Sequence, residues 1–312
     1  MALNILTQTT NHKLTLMQNR RKFLIQGSLA AGAAALLKPL EGFSKVLSYT
    51  GVKSHESLTI LHTSDLHIAA TPTIGASTAE TISANLLSIS NKVKEIRNTH
   101  PNIVLLHNGN IFGASHSTEE MQTQYLRLMQ QTGYDAVVEG KEDRYDKLPV
   151  AITNKVMPIL VDSLDNAALF NLSQKLPYRI VRKGNIKAGI ITNAVKNNFS
   201  IEKKAAALSN TAQYLKEKQG CHIVICLSTG NTSGDNESPV QNDIEMASLS
   251  NFVDVIISGN NTVSRPINRI YRNANKAEVF VHATTHAGSA VGRIDIEFDE
   301  NLLKRNIRGY YK

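Results

Sequence analysis

From Leu58 onward, short apolar runs alternate with stretches whose apolar residues recur at helical spacing. Residues 58–62 and 103–106 read as strands. Between them Ile82, Leu86, Ile89, Val93 and Ile96 step by four, three, four and three, one apolar face of an amphipathic helix. Ser117 and Glu120 fit a capping box opening a second helix, with Met121, Tyr125 and Leu128 on its inner face. Residues 136–138 read as a short strand, and 178–181 with 186–191 as a hairpin turning at Lys183, Gly184 and Asn185. Ala205, Leu208, Ala212 and Leu215 mark a third helix, which leads into a strand at 223–227; another strand, 253–257, follows a polar loop. Then the pattern changes: 267–271, 279–283 and 291–298 read as strands with only turns between them. An alternating β/α portion followed by consecutive strands predicts mixed sheets covered by helices.

Composition narrows the class. Hydrophobic residues make up 42% of the 312 and charged residues 19%, which excludes both a disordered chain and a polytopic membrane protein. The net charge of +8 invites a nucleic-acid reading, but its location removes it. Residues 1–45 hold Lys13, Arg20, Arg21, Lys22, Lys38 and Lys45 against Glu41 alone, a net of +5, leaving only +3 elsewhere. No basic block interleaved with aromatics remains, so no nucleic-acid partner is expected. The two cysteines, Cys221 and Cys226, lie within one strand pattern, about 16 Å apart if extended, whereas a disulfide spans about 7 Å at most. They read as unpaired core thiols.

The first 45 residues read as an export signal and linker. Arg20, Arg21 and Lys22 precede Phe23-Leu24 and a weakly apolar run of 15 residues ending at Leu37, too short to span a bilayer, which takes about 20. The Arg20-Arg21 pair with this low hydrophobicity resembles a bacterial twin-arginine signal, which implies a periplasmic location. No A-x-A site follows, so membrane contact through an uncleaved signal stays open.

In α/β sheets ligands collect beyond the carboxyl ends of strands. Those ends here are Thr63-Ser64-Asp65-Leu66-His67, Asn108-Gly109-Asn110, Glu139-Gly140-Lys141-Glu142-Asp143, Ser228-Thr229-Gly230 and Ser258-Gly259-Asn260-Asn261-Thr262. In order, this series resembles the calcineurin-like metallophosphoesterases, and within them the catalytic domain of the bacterial 5′-nucleotidase family. Asp65 and His67 match its D-x-H motif, and Gly109-Asn110 stands at its G-D. Gly133-Tyr134-Asp135 and Gly140 approach its G-N-H-E, Ser228 its L-S-H, and Gly259 its G-H-x-H. The resemblance runs over residues 58–299, and implies a four-layer α/β/β/α sandwich as the fold class, with one domain over 56–300. Residues 301–312 follow as a basic terminal strand or tail.

The family chemistry implied is hydrolysis on two divalent metal ions that activate water and neutralise phosphate. Carried over position by position, only Asp65 and His67 of seven ligand positions keep a family ligand. The bridging carboxylate is Asn110, the Asn ligand is Lys141, the L-S-H histidine is Thr229, and the two G-H-x-H histidines are Asn260 and Thr262. Glu142 stands at the catalytic histidine. A protonated lysine cannot coordinate a cation. Lys141 would instead supply positive charge to Asp65, Glu142 or Asp143, so the ions are expected to be absent or weakly bound. His107, ending the second strand near Asn110, is a possible pocket residue.

These departures predict an exported, catalytically degenerate relative acting as a binding or partner protein. A separately encoded nucleotidase C-terminal domain is one partner implied by analogy. The alternative is a weak or altered metal-dependent phosphohydrolase acting on nucleotides or other phosphate esters.

Overall fold

In the computed structural model, residues 56–66, 78–112, 119–140, 143, 159–160, 177–193, 199–229, 239–259, 266–284 and 290–311 are described. Contacts divide the chain into Met1–Ser54 and His55–Lys312. The first unit, with Arg20 and Arg21, lies outside the described residues.

The strand pattern builds two six-stranded mixed sheets. The first holds β1 (Ser57–Thr63), β2 (Ile103–Asn108), β3 (Ala136–Val138) and β4 (Ile159–Leu160) in parallel, extended antiparallel on the other side of β1 by β11 (Gly292–Phe298) and β12 (Lys304–Tyr311). The second runs β5 (Arg179–Lys183), β6 (Ile186–Asn193), β7 (Ile223–Ser228), β8 (Val255–Ser258), β10 (Glu278–Ala283) and β9 (Ile267–Arg272), parallel at its centre with antiparallel edges.

Strand alternation sorts the core into three apolar layers. Leu58, Ile60, Val104, Leu106 and Ile294 of the first sheet pack against Ala188, Ile190, Ile225, Leu227 and Ile257 of the second. On the outer face of the first sheet, Leu61, Leu105 and Val137 meet Leu86, Ile89, Val93 and Ile96 of α1 (Thr78–Thr99), with Tyr125 and Met129 of α2 (Glu119–Thr132). On the outer face of the second, Ile191, Val224 and Cys226 meet Ala205, Leu208 and Ala212 of α3 (Ile201–Gln213) and Met246 of α4 (Pro239–Leu249). Both sheets are thus sandwiched between helices, the four-layer α/β/β/α order implied by the motifs. Among the described residues no helix is long and apolar enough to cross a membrane.

Two aspartates in the motif-bearing stretches have structural roles. Asp135, just before β3, accepts from Leu105 N of β2 at 2.9 Å, and Asp254, just before β8, accepts from Val224 N of β7 at 2.8 Å. Each ties a parallel strand to the entry of its neighbour, and at Asp254 pairing begins at Val255, two residues later than the apolar pattern suggests. Cys221 and Cys226 are buried free thiols, as expected. Lys304–Tyr311, expected as a basic terminal strand or tail, is an edge strand that turns Ile307 onto the inter-sheet core. Its charged residues suit an edge, where they discourage pairing with other chains. The two-residue β4 went unread because so short a strand carries no periodicity.

Candidate functional site

The parallel strands of both sheets deliver their carboxyl ends to one place, and Asn108 shows how closely. Its Nδ2, at the end of β2, donates to Ser228 O at the end of β7 (2.9 Å) and to Ile257 O near the end of β8 (2.8 Å). The residue belongs to the first sheet and both acceptors to the second. Gly259 fits beside it: a Cβ there would lie 2.7 Å from the Asn108 amide nitrogen.

Beyond Asn108 the chain turns through Gly109 and Asn110, both in the left-handed region (φ 78° and 57°). Asp65, after β1, is left-handed as well (φ 51°), and its N–H donates to Gly109 O at 3.1 Å. Asn and Asp tolerate this backbone better than other non-glycine residues. The paired turns bring the two side chains together. Asn110 Nδ2 donates to Asp65 Oδ1 at 2.8 Å, with the residues only 3% and 6% exposed.

Gly140, after β3, packs directly on this pair; a Cβ would come within 2.1 Å of Asn110 N and 2.3 Å of its Oδ1. A Cβ on Gly109 would lie 3.1 Å from Thr229 Cγ2, which places the buried Thr229 on the same floor. Asp143 fastens the floor from beneath. Its carboxylate accepts from Phe112 N and Gly140 N, both at 2.9 Å, and from the backbone N–H of Asn110. Burial raises its carboxyl to about 6 and nearby Glu139 adds to the rise, while the three amides pull the other way. On the helix side, Ser228 Oγ donates to Asp243 Oδ1 of α4 at 2.5 Å, and burial lifts that carboxyl to about 7 against the Ser228 and Ser258 hydroxyls.

Of the residues singled out in the sequence, Asp65, Asn110 and Thr229 come together. His67, Lys141, Glu142, Asn260 and Thr262 lie outside the described residues, and with them the Lys141–Asp65 pairing. His107 is buried on the helix-facing side of β2. Its Nδ1 lies 2.9 Å from Thr63 Oγ1, which also meets Tyr134 Oη at 2.9 Å. Sequence reasoning missed Asn108 and Asp243, since a single Asn at a strand end and a lone Asp on a helix carry no local motif.

The family's two-ion centre can be tested against this donor set. A carboxylate bridge would need an anionic oxygen at residue 110, but the amide nitrogen there faces Asp65 as a hydrogen-bond donor, and the amide oxygen lies against Gly140. Thr229 offers a neutral hydroxyl in place of an imidazole. These residues do not fit a pair of divalent ions. Among the described residues no three His, Cys, Asp or Glu side chains gather as a metal site.

No protein-family model matches the chain. It is 27% identical over 221 residues to a 5′-nucleotidase from the venom of Naja atra, covering 65% of this chain and 40% of that one. The solved 5′-nucleotidase precursor of Thermus thermophilus superposes with a TM-score of 0.60 at 17% identity, over 82% of this chain and 54% of that one. A calcineurin-like phosphoesterase of Bacillus subtilis superposes with a TM-score of 0.54 at 16% identity, over 83% of this chain and 91% of that one. The chain thus spans about half the length, or less, of the nucleotidases it matches. The fold implied by the resemblance is the one observed: the chain has the calcineurin-like metallophosphoesterase fold and is similar in sequence to 5′-nucleotidases.

Proposed function

We propose that the chain is an exported, catalytically degenerate relative of the phosphoesterases, which keeps the scaffold and an altered pocket and acts as a binding or partner protein. The observation that carries this reading is the Asn110–Asp65 hydrogen bond, since an amide donor stands where two-ion chemistry needs a shared anion. The substitutions at Lys141, Glu142, Asn260 and Thr262 support it in the sequence. Export rests on the Arg20-Arg21 signal, and the partner proposed by analogy is a separately encoded nucleotidase C-terminal domain.

Metal analysis of the purified full chain, with phosphatase assays on nucleotides in Mn²⁺, Zn²⁺ and Mg²⁺, tests the central point. Less than one tightly held ion per chain and no turnover above the metal blank are expected. Two bound ions with robust turnover would overturn the reading in favour of a phosphohydrolase built on Asp65 and His67.

A further inference from the structure

The inter-sheet layer is almost wholly Leu, Ile, Val, Ala and Phe, but it turns polar on one side near the strand exits. His62 of β1 and His282 of β10, both fully buried, meet there across the two sheets. Nε2 of His62 lies 2.9 Å from Nδ1 of His282, and the rings stand edge-on at 89° with centroids 4.9 Å apart. Glycines back both rings. A Cβ on Gly292, the partner of His62 on β11, would lie 2.1 Å from His62 Nε2, and one on Gly309 of β12 would lie 2.6 Å from His282 Cδ2. Asn268 of β9 completes the seam, its Nδ2 donating to Gly309 O at 2.9 Å. β1 and β12 of the first sheet are thereby fastened to β10 and β9 of the second by polar contacts, and the glycines of β11 and β12 leave no room behind the rings for one extra methyl group.

We propose that the His62–His282 pair is a proton-sensitive latch, which holds the two sheets together beside the candidate site and opens when either imidazole is protonated. The inference does not depend on the functional reading above.

The seam is matched to two neutral rings. At 2.9 Å, one of the facing nitrogens, His62 Nε2 and His282 Nδ1, must donate and the other accept. A further proton on the accepting nitrogen would set two N–H donors against each other, with the charge buried between apolar faces. From β2 only His107 bears on the pair, and it lies on the far face of the sheet. Arg293 and Asp295 of β11 project to the outer face and bond each other at 2.9 Å. β8, β9 and β12 present Ile257, Asn268 and Gly309, so no carboxylate among them faces the pair. Burial accordingly lowers His282 to about 4, and burial together with His282 and His107 holds His62 well below its usual value. Both folded values are depressed, so the stabilisation is present above about 6.5 and is lost as pH falls toward 4. His62 stands three residues before Asp65, and His282 two before Thr284 at its own strand exit. Opening at this point would displace one wall of the site.

Native-state hydrogen exchange on the full chain between pH 7 and pH 4.5, corrected for the intrinsic rate, tests the latch in the natural protein and in the double variant His62→Gln with His282→Gln. Glutamine keeps an amide for hydrogen bonding but does not titrate. The opening constant of β1 and β10 is expected to rise by up to about tenfold per pH unit below pH 6 in the natural chain, the limit for one proton, and to stay nearly flat in the double variant. Equal pH slopes in the two proteins, or β1 and β10 no more acid-sensitive than β6 and β7, would overturn it. If the double variant does not fold, histidine NMR of the natural chain decides: two imidazoles that stay neutral to pH 5 support the latch. Every histidine titrating near 6.5 with both sheets intact sinks it.

Discussion

The side-chain amide of Asn110 donates to the Asp65 carboxylate at 2.8 Å, between two residues whose backbones are both left-handed. The turn geometry and the hydrogen bond depend on each other. Left-handed backbone swings both side chains inward from the ends of adjacent parallel strands, and the buried carboxylate then needs a donor. An anion at residue 110 would find a like charge at the same distance.

Asn110→Asp is therefore expected to destabilise the metal-free chain by about 1–3 kcal/mol at pH 7, through loss of a donor to a buried carboxylate and like-charge repulsion. Urea unfolding at pH 7 checks this. Equal stability of the variant and the natural chain at pH 7 would show that the amide is not needed.

Gly140→Ala should be more damaging than a surface Gly→Ala change, because the new Cβ would sit 2.1 Å from the Asn110 backbone nitrogen. Backbone cannot yield as a side-chain tip can, and the expected cost is at the upper end of overpacking penalties, about 3 kcal/mol. Gly220→Ala is the comparison: no atom lies within 4 Å of its Cβ, and its cost would come from the left-handed φ of 64° alone. Thermal denaturation of the two variants side by side measures the difference.

Replacing Asn108 tests the tie between the sheets. Asn108→Ala removes two donors and leaves the Ser228 and Ile257 carbonyls facing the first sheet without them. A loss of about 1–3 kcal/mol is expected, with hydrogen exchange rising at the ends of β7 and β8. Unchanged exchange there would mean that the apolar layer alone holds the exits together.

Asp243 makes a pH prediction of opposite sign to the histidine pair. Its folded value is raised, from 3.8 to about 7, mainly by burial, so its contribution to stability is fully present below about pH 4 and is lost as pH rises through 7. Asp243→Asn keeps an acceptor oxygen for Ser228 without the ionisation. Its stability relative to the natural chain should improve steadily from pH 4 to pH 8, as read by urea midpoints. A difference that does not vary with pH would show that Asp243 is ionised or neutral in both folded and unfolded states throughout.

The two glycine-bearing strand exits at 109 and 140 and the Asp65 turn were visible as motifs because turn chemistry is local. Asp143 was readable only as a carboxylate near Lys141; its hold on three backbone amides depends on two loops from different strands meeting. His107 illustrates the limit. Proximity to Asn110 along the chain suggested the pocket, but strand alternation turns its ring to the helix side, toward Thr63 and Tyr134.

By itself the sequence determined the order of strands and helices and the apolar faces that form three core layers. These follow from periodicity and residue chemistry, which act over a few neighbours. Only the tertiary structure decided what the polar residues near the strand exits do. The Asn110–Asp65 bond joins residues 45 positions apart, Asn108 reaches acceptors 120 and 149 positions away, and the histidine pair spans 220. No local pattern encodes such partners, because they are set by sheet order and by which side chains are buried opposite one another when two sheets close.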